Sequence, residues 1–267
     1  EASAYMHIHA ITGRWNKTLY DPYVNMLRTQ TEAMSAVLGG AESVTVEPFD
    51  TVFRSAGEFS ERIARNQQLL LMEEAHLDKV ADPGAGSYYI EELTSMMAGE
   101  AWKIFLEIEQ VGGFLASLRK GIIQDRISAS AAARKADMAR RKEVLLGTNQ
   151  YPDFRESRAP EHDHDRLFSD YRPSADHEVQ PIIPARGADG FERLRLATER
   201  SARRPVVFML TIGDLAMRRA RAQFSANFFA VAGYEVRDNN GFESVADGVI
   251  AALEAKADII VLCSSDE

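Results

Sequence analysis

Apolar side chains recur along the first half of the chain with a helical period. Between residues 22 and 38 the positions of one stripe stand three and four residues apart, which predicts one buried face of a helix; they are Val24, Leu27, Thr31, Met34 and Leu38. The same reasoning predicts further helices at 56–79, 91–110 and 124–142, the last of them basic. Shorter apolar or alternating runs predict strands at 5–11, 41–47 and 144–147.

A different pattern starts at Pro205 and continues to the last residues. Val206–Leu210 is an unbroken apolar run, which is typical of a strand buried on both faces. The residues after it predict a helix at 215–232, a strand at 234–236, a helix at 243–255 and a buried strand at 259–262. This β-α-β-α-β order with short loops predicts parallel strands, as in the first half of a doubly wound domain.

Between these two patterns, five prolines from Pro152 to Pro184 and the polar run Glu161–Asp165 predict a linker. We therefore expect an α/β protein in three parts, with bounds at 1–151, 152–203 and 204–267. The strands and paired long helices of the first part suit the C-terminal part of a (β/α)8 barrel. Strand-like runs lie near both ends, so we expect an internal piece of a longer polypeptide, with an incomplete second domain.

The composition excludes several classes of protein. Hydrophobic residues make up 45% and charged residues 27%, which is an ordinary globular balance. The formal net charge of -9 makes a nucleic-acid partner improbable. Cys263 is the single cysteine, which excludes an internal disulfide and fits a reducing compartment. No apolar run approaches the roughly 20 residues of a membrane helix, and we expect a cytoplasmic protein without a membrane partner.

Several residues are candidates for chemistry, and each has a plainer interpretation. His7 and His9 alternate on the first predicted strand, either as an acid–base pair or as ordinary barrel histidines. The loop Asp82–Ser87 offers backbone N–H groups to a phosphate but lacks the P-loop pattern, so a simple turn is favoured. Asp50 and Glu58 are expected to be capping or surface groups.

The linker and the second domain carry further candidates. Five residues of the linker have side chains that can ligate a metal: His162, Asp163, His164, Asp165 and His177. A metal site is disfavoured because no rigid secondary structure is predicted there to hold them. The loop Thr211–Asp214 has one glycine only, which argues against a dinucleotide site. Cys263 is expected to be a packing residue rather than a nucleophile. The remaining candidates are Arg218, Arg219 and Arg221. These three arginines either contact a partner or are solvated.

A set of short motifs gives the chain its resemblance to a known family. They are Asp21–Tyr23, Glu32–Met34, Arg62–Gln67, Asp82–Tyr88, Glu91–Thr94, Ala101–Trp102, Glu107–Glu109, Gly112–Gly113 and Ala131–Arg134. In this order and combination they resemble the methylmalonyl-CoA mutase family across residues 5–151. Residues 204–267 are similar, more distantly, to the cobalamin-binding domain of that family.

The resemblance implies a fold and a reaction. In this family a (β/α)8 barrel threads coenzyme A along its axis, and a flavodoxin-like domain holds the corrinoid against the end of the barrel. The reaction is the adenosylcobalamin-dependent interconversion of (R)-methylmalonyl-CoA and succinyl-CoA. The order of parts predicted above is the order of this family.

The chain departs from the catalytic members on its two barrel strands. Their His-Cys-Gln-Thr-Ser-Gly run corresponds to His9–Arg14, where the substrate-facing Gln has become Ile11. Their Ser-Leu-His-Thr-Asn run corresponds to Ser43–Glu47, where a polar Thr has become Val46. We expect Ile11 and Val46 to fill the bore of the barrel, and His9 to be a relic without catalytic duty.

The cobalt-binding motif of the family is lost as well. Its Asp-x-His-x-x-Gly signature corresponds to Ala216, Arg218 and Arg221, and no His occurs anywhere in 178–267. Arg cannot ligate cobalt because its guanidinium stays protonated. These departures point to the small, catalytically silent subunit of a heterodimeric bacterial mutase. Adenosylcobalamin and the acyl-CoA substrate are then expected on the large catalytic partner, with neither cofactor nor metal on this chain.

Two other functions stay open at this level. One is a catalytically competent mutase chain, against which the missing His motif argues. The other is a ligand-sensing α/β module of the receiver type, which needs a cluster of acidic residues at the strand ends. Asp214 is the only acidic residue directly after the strand at 206–210. We further expect residues 1–151 to expose apolar surface through which they complete a barrel in the parent chain and support the partner.

Overall fold

The computed structural model describes residues 6–157 and 178–265. The chain divides into two compact units. Of the described residues, 6–17, 25–137 and 178–186 belong to the first unit, and 18–24, 138–157 and 187–265 to the second. The predicted bounds at 151 and 203 stay a prediction.

The first unit has a short parallel strand pair and five helices within its described residues. In chain order its elements are β1 (His9–Ile11), α1 (Val24–Leu38), β2 (Ser43–Thr45), α2 (Glu58–Leu69), α3 (Tyr88–Gln110), α4 (Phe114–Arg119) and α5 (Ile122–Ala139). β1 pairs with β2 in parallel, with His9 opposite Ser43 and Ile11 opposite Thr45. The core beside this pair joins α1, α2 and the end of β2 through Ala33, Ala64, Leu71 and Val46.

The helix predicted at 56–79 is broken in the structure. α2 ends at Leu69 and continues as a π-helical turn over Leu70–Glu74. His76 then takes a left-handed backbone conformation, with φ 53°, before a 3-10 turn at Leu77–Lys79. An apolar stripe cannot reveal such a break, because the π turn keeps Leu71 directed into the core.

α3 is 23 residues long and has no buried residue. Its exposed apolar side chains include Tyr88, at 94% of its full accessibility, and Trp102. Trp102 and Phe105 stack on each other at 5.0 Å between ring centroids. This face agrees with the expectation that residues 1–151 expose apolar surface.

The second unit is built on a three-stranded parallel sheet. Its elements are α6 (Asp189–Arg200), β3 (Val206–Thr211), α7 (Leu215–Val231), β4 (Glu235–Arg237), α8 (Val245–Glu254) and β5 (Ile259–Cys263). The order is β4-β3-β5, so the first strand of the unit lies in the middle. Both pairings are parallel, as the loop lengths predict.

β3 is buried along its whole length because a helix covers each face of the sheet. Val207 and Met209 pack with Ala222 of α7, and Phe208 and Leu210 pack with Ala252 of α8. Alternate residues of a strand point to opposite faces, so a strand covered on both sides must be apolar throughout. The unbroken run at 206–210 reflects this environment.

The structure differs from the sequence analysis at two places between α5 and β3. The strand predicted at 144–147 is not formed, because Leu145 packs with Met138 and Ala188 while Leu146 only bridges to Gln150. The predicted linker contains the 12-residue helix α6. Its sequence is polar, and the buried contacts that hold it come from distant segments.

The described residues contain no helix with the length and apolar character needed to cross a membrane.

Candidate functional site

The loop that follows β1 is tied down by one carboxylate. Glu32 accepts a hydrogen bond from the Gly13 N–H at 3.0 Å and from Asn16 Nδ2 at 2.7 Å. It also pairs with Lys17, whose Nζ lies 2.6 Å from Glu32 Oε1 and whose side chain is only 4% exposed. Burial lowers the pKa of Lys17, and the hydrogen bond with Glu32 opposes that shift. The ammonium therefore has its counterion within the chain.

A second ion pair closes the same strand ends. Arg14 donates to the carboxylate of Glu47 from Nε, which lies 2.9 Å from Oε2, and from Nη2, which lies 2.5 Å from Oε1. The backbone N–H of Glu47 donates to Thr12 Oγ1 at 2.9 Å. Ligands of parallel α/β folds bind at the carboxyl ends of strands. Here the cations at those ends already bind the chain's own acceptors.

His9 lies between two hydroxyl groups of the neighbouring strand. Its Nδ1 is 2.6 Å from Ser43 Oγ, and its Nε2 is 3.1 Å from Thr45 Oγ1. Both ring nitrogens thus have a hydrogen-bonding partner across the strand pair. His7, which lies before β1, pairs instead with Glu42 at 2.5 Å. These hydrogen-bonding partners of the two histidines are thus different residues.

The two apolar replacements on these strands behave differently. Ile11 is 62% exposed in the described chain. Val46, which was expected to fill the bore of a barrel, is buried with Ala33 and Ala64 of helices α1 and α2. That expectation is wrong for Val46, because Val46 lies on the same face as Val44 of β2, and both pack against this helix cluster.

The carboxyl ends of β3 and β4 are joined through Arg218. Its Nη1 donates to the carbonyl of Gly213 at 3.1 Å, in the loop after β3. Its Nη2 donates to the carbonyl of Asn240 at 2.9 Å, in the loop after β4. The side chain of Asn239 accepts from Thr211 Oγ1 at 2.5 Å and also donates to the carbonyl of Met209. This strand-end cluster of Thr211, Arg218, Asn239 and Gly241 fills the edge where a ligand would approach.

Gly241 is required by the position of Arg218. An added Cβ would lie 2.5 Å from Cζ of Arg218, and the backbone φ of 107° is rarely adopted by residues with a side chain. Glycine alone meets both conditions without strain. The guanidinium is therefore packed directly against the backbone of this loop.

The other residues that the sequence analysis aligns with the cobalt-binding motif, and two neighbouring candidates, can also be placed. The N–H of Ala216 donates to Asp214 Oδ1 at 3.0 Å in the first turn of α7. Asp214 caps that helix, so the acidic residue after β3 is used inside the chain. Arg221 is half-buried on the same helix. Cys263 is fully buried, and burial raises the pKa of its thiol, so it stays protonated at neutral pH.

Three further candidates can be placed. In the loop Asp82–Ser87, the Gly86 N–H donates to the carboxylate of Glu91 at 3.2 Å, which leaves that donor engaged. Asp50 is not a surface group: it is fully buried and its Oδ2 accepts from Nε of Arg54 at 2.7 Å. Glu58 opens α2 as an exposed acidic residue.

The histidine-rich run lies outside the described residues, namely His162, Asp163, His164, Asp165 and His177. Within the described residues, no group of three or more His, Cys, Asp and Glu side chains is placed to hold a metal ion.

Two arginines of the basic segment 124–142 make contacts inside the chain. Arg134 of α5 lies over the ring of Trp15 at 4.2 Å, within the first unit. Arg141 lies over the ring of Phe224 at 5.4 Å, within the second unit. Both are cation–π contacts, which hold the basic helix and α7 to neighbouring segments.

The sequence analysis missed a buried polar cluster around α6. Arg195 of this helix is 2% exposed and donates to the carbonyl groups of Asp153 and Glu156. Its guanidinium lies 4.0 Å from the centre of the Tyr20 ring. Glu192, 1% exposed, accepts from the Leu19 N–H at 2.6 Å. The only signal in the sequence is the spacing of three between Glu192 and Arg195, which surface helices share.

Glu156 makes this cluster sensitive to pH. Both carboxylate oxygens accept from the Asp21 N–H, at 2.9 and 2.8 Å. Burial nevertheless raises the pKa of this carboxyl, because it disfavours the charged form. The folded state then binds a proton more readily than the unfolded state, so stability falls as pH rises from the usual carboxyl pKa through the raised one.

We therefore expect Glu156→Gln to gain in relative stability with increasing pH. The measurement is the free energy of unfolding of the variant minus that of the parent, by denaturant titration from pH 4 to pH 8, a range that spans the usual carboxyl pKa of about 4.3. A difference that does not change with pH would contradict the assignment.

Comparison with known proteins gives a consistent result. A family model described as methylmalonyl-CoA mutase matches residues 1–177. A methylmalonyl-CoA mutase small subunit of Porphyromonas gingivalis is 54% identical over 272 residues, covering 99% of this chain and 43% of that protein. A small subunit of Streptomyces virginiae is 37% identical over 268 residues, covering 97% of this chain and 41% of that protein.

A third relative matches a shorter region. The methylmalonyl-CoA mutase of Cereibacter sphaeroides is 42% identical over 149 residues, which is 56% of this chain and 21% of that protein. The relatives described as small subunits thus align over nearly all of this chain, whereas this one aligns over little more than half. The chain spans about two fifths of the length of the small subunits it matches.

Proposed function

The chain belongs to the methylmalonyl-CoA mutase family, and from that premise we propose that it is part of the small, non-catalytic subunit of a bacterial heterodimeric mutase. The holoenzyme is an isomerase that interconverts (R)-methylmalonyl-CoA and succinyl-CoA. The large partner subunit carries the substrate and adenosylcobalamin. This chain contributes structure and assembly rather than an active site.

One observation carries the proposal: the strand ends of both units are closed by bonds within the chain. In the first unit Arg14 and Lys17 bind carboxylates of the same unit. In the second unit Arg218 binds two backbone carbonyl groups. A ligand would have to displace these cations from partners that satisfy them, which opposes binding.

The fold fits the same proposal. The strand order β4-β3-β5 is the order of the first three strands of a flavodoxin-like sheet. The parallel pair β1–β2, covered by α1 and α2, fits the last part of a (β/α)8 barrel. Such a barrel needs eight strands, and the described part of the first unit has two. The exposed apolar face of α3 is then a surface that the rest of the barrel or the partner covers.

The residues of the second unit do not fit a cobalt corrinoid. Arg218 stands where the family has its cobalt-ligating His, and its guanidinium fills the space above Gly241. No His occurs in 178–267 to replace it. The loops after β3 and β4 are also joined by the Phe242 N–H donating to the carbonyl of Thr211 at 2.9 Å.

We expect this chain to bind no adenosylcobalamin by itself. The measurement is equilibrium dialysis against adenosylcobalamin, with the ultraviolet–visible spectrum of the retained corrinoid recorded, and the large subunit serves as the positive control. A tight one-to-one complex with the spectrum of a His-ligated cobalt would contradict the proposal.

We also expect His9→Ala to leave turnover of the reconstituted heterodimer within about twofold of the parent. The ring of His9 is engaged by Ser43 and Thr45, and no substrate-facing Gln accompanies it. The assay combines turnover with size-exclusion chromatography, so that a defect in assembly is recognised. A loss beyond about tenfold, or ~1.4 kcal/mol, in a fully assembled heterodimer would show that His9 has a catalytic role.

A further inference from the structure

We propose that the open edge of β4 in the second unit binds an extended, acidic segment of a partner chain as an additional strand. Within the described residues β4 pairs with β3 alone. A cavity of 870 Å³ lies along this edge. Its walls are residues 235–238, the α7 residues Gln223, Ala226, Asn227 and Ala230, the side chain of Arg204, and the segment Pro152–Arg155.

The backbone of β4 can accept a neighbour on this side. The Glu235 N–H donates to the carbonyl of Pro205 at 2.9 Å, so the polar groups of Glu235 face β3. In a parallel strand both backbone groups of a residue point the same way, and successive residues alternate. Val236 therefore directs its N–H and its carbonyl toward the cavity that it lines. Unpaired edge groups of this kind are the template on which extended peptides add a strand.

The charges along the cavity indicate what the added segment carries. Arg237 is paired with Glu235 in the same strand. Arg204 donates to the carbonyl of Phe154 at 2.5 Å, and Arg155 lies over the Phe154 ring at 5.7 Å. In the part of the chain that the structure describes, neither Arg155 nor Arg204 pairs with a carboxylate. Two guanidinium groups beside an open strand fit the carboxylates of an acidic strand.

A compact anion fits this edge less well than a strand does. A phosphate group could pair with Arg155 or Arg204, but it would leave the outward N–H and carbonyl of Val236 without a strand partner, whereas an added strand satisfies both. The α7 wall of the cavity carries both polar side chains, Gln223 and Asn227, and the small apolar side chains of Ala226 and Ala230. A segment in which acidic and apolar residues alternate matches both kinds of surface, because its side chains point to opposite faces.

Backbone NMR of the 267-residue chain tests the inference directly. The probe is a hexapeptide of alternating valine and glutamate, titrated to about 5 mM, a concentration that detects Kd values of about 1 mM. We expect the amide signals of residues 235–238, and of Val236 above all, to shift in a saturable manner. Saturable shifts elsewhere only, or none at this concentration, would overturn the proposal.

Variants separate the backbone part of the site from its charge. Arg155→Gln is expected to weaken binding at least about threefold, and Arg219→Gln, an exposed arginine outside the cavity, is the matched control. Val236→Pro removes the edge N–H at a position where edge strands tolerate proline, and we expect it to abolish the shifts. If this variant loses its fold, the saturable shift of the Val236 amide in the parent chain tests the backbone part, and the Arg155→Gln comparison tests the charge.

Two further probes distinguish other occupants. A peptide with glutamine in place of glutamate should bind more weakly, and equal binding would refute the acidic specificity. Inorganic phosphate that competes with the peptide and shifts the arginine side chains, while the peptide leaves Val236 unchanged, would identify a small-anion site and overturn the strand proposal.

Discussion

Glu32→Gln is expected to lower the free energy of unfolding by about 3 kcal/mol. The ammonium of Lys17 is almost entirely buried, and Glu32 is its counterion at 2.6 Å. The amide keeps the shape of the carboxylate but leaves that buried charge uncompensated. Since the same side chain holds the Gly13 N–H and Asn16, the loop after β1 loses its anchor as well.

Denaturant titration of the variant measures this effect, and two further variants control it. Glu42→Gln removes a carboxylate whose partner, His7, is 82% exposed, so a change below about 1 kcal/mol is expected. The double variant Glu32→Gln/Lys17→Met also removes the buried, uncompensated ammonium, and it should restore part of the stability. A single variant that is as stable as the parent would show that Lys17 reaches solvent.

Gly241→Ala is expected to lower the free energy of unfolding by about 2 kcal/mol through two effects. The new Cβ would lie 2.5 Å from Cζ of Arg218, so the guanidinium must leave its place and give up the carbonyl groups of Gly213 and Asn240. The backbone φ of 107° adds strain for any residue with a side chain. The loops after β3 and β4 would then be less firmly joined.

A double-mutant cycle identifies how much of this destabilisation comes from the conflict with Arg218. In an Arg218→Ala background the steric conflict is absent, so Gly241→Ala should cost only its backbone strain. The matched control is Gly190→Ala, where a Cβ would meet no atom within 4 Å. Equal costs of Gly241→Ala in both backgrounds would mean that Arg218 does not occupy the strand ends in solution.

The strand-end cluster also bears on the proposal that this chain lacks the cobalamin site of its family. In the alignment behind that proposal Arg218 takes the place of a ligating His, and its guanidinium donates to the carbonyl groups of Gly213 and Asn240. The loops then close on the protein itself. We expect that restoring the His alone, as Arg218→His, would leave those carbonyl groups without their donor and would not recover corrinoid binding.

The regular elements of the second unit could be predicted from sequence because their signal is local. The apolar run at 206–210 and the helical stripe of α7 appear at their predicted positions within one or two residues. The helix α6 could not be predicted in this way. Glu192 and Arg195 look like surface residues, and they are buried only because segments more than 35 residues away supply Leu19, Asp153 and Glu156 as partners.

The sequence by itself determined the α/β class, the family resemblance and the absence of any His in 178–267, because these depend on residue types and their spacing. Only the tertiary structure decided what the candidate residues do. Lys17, Arg218 and Arg195 each have a partner that is distant along the chain, namely Glu32, Asn240 and Asp153, which lie 15, 22 and 42 residues away. Folding decides which acceptors lie within about 3 Å of a charged side chain. Those acceptors determine whether the side chain stays solvated, forms an ion pair or fills a site by bonding to backbone carbonyl groups.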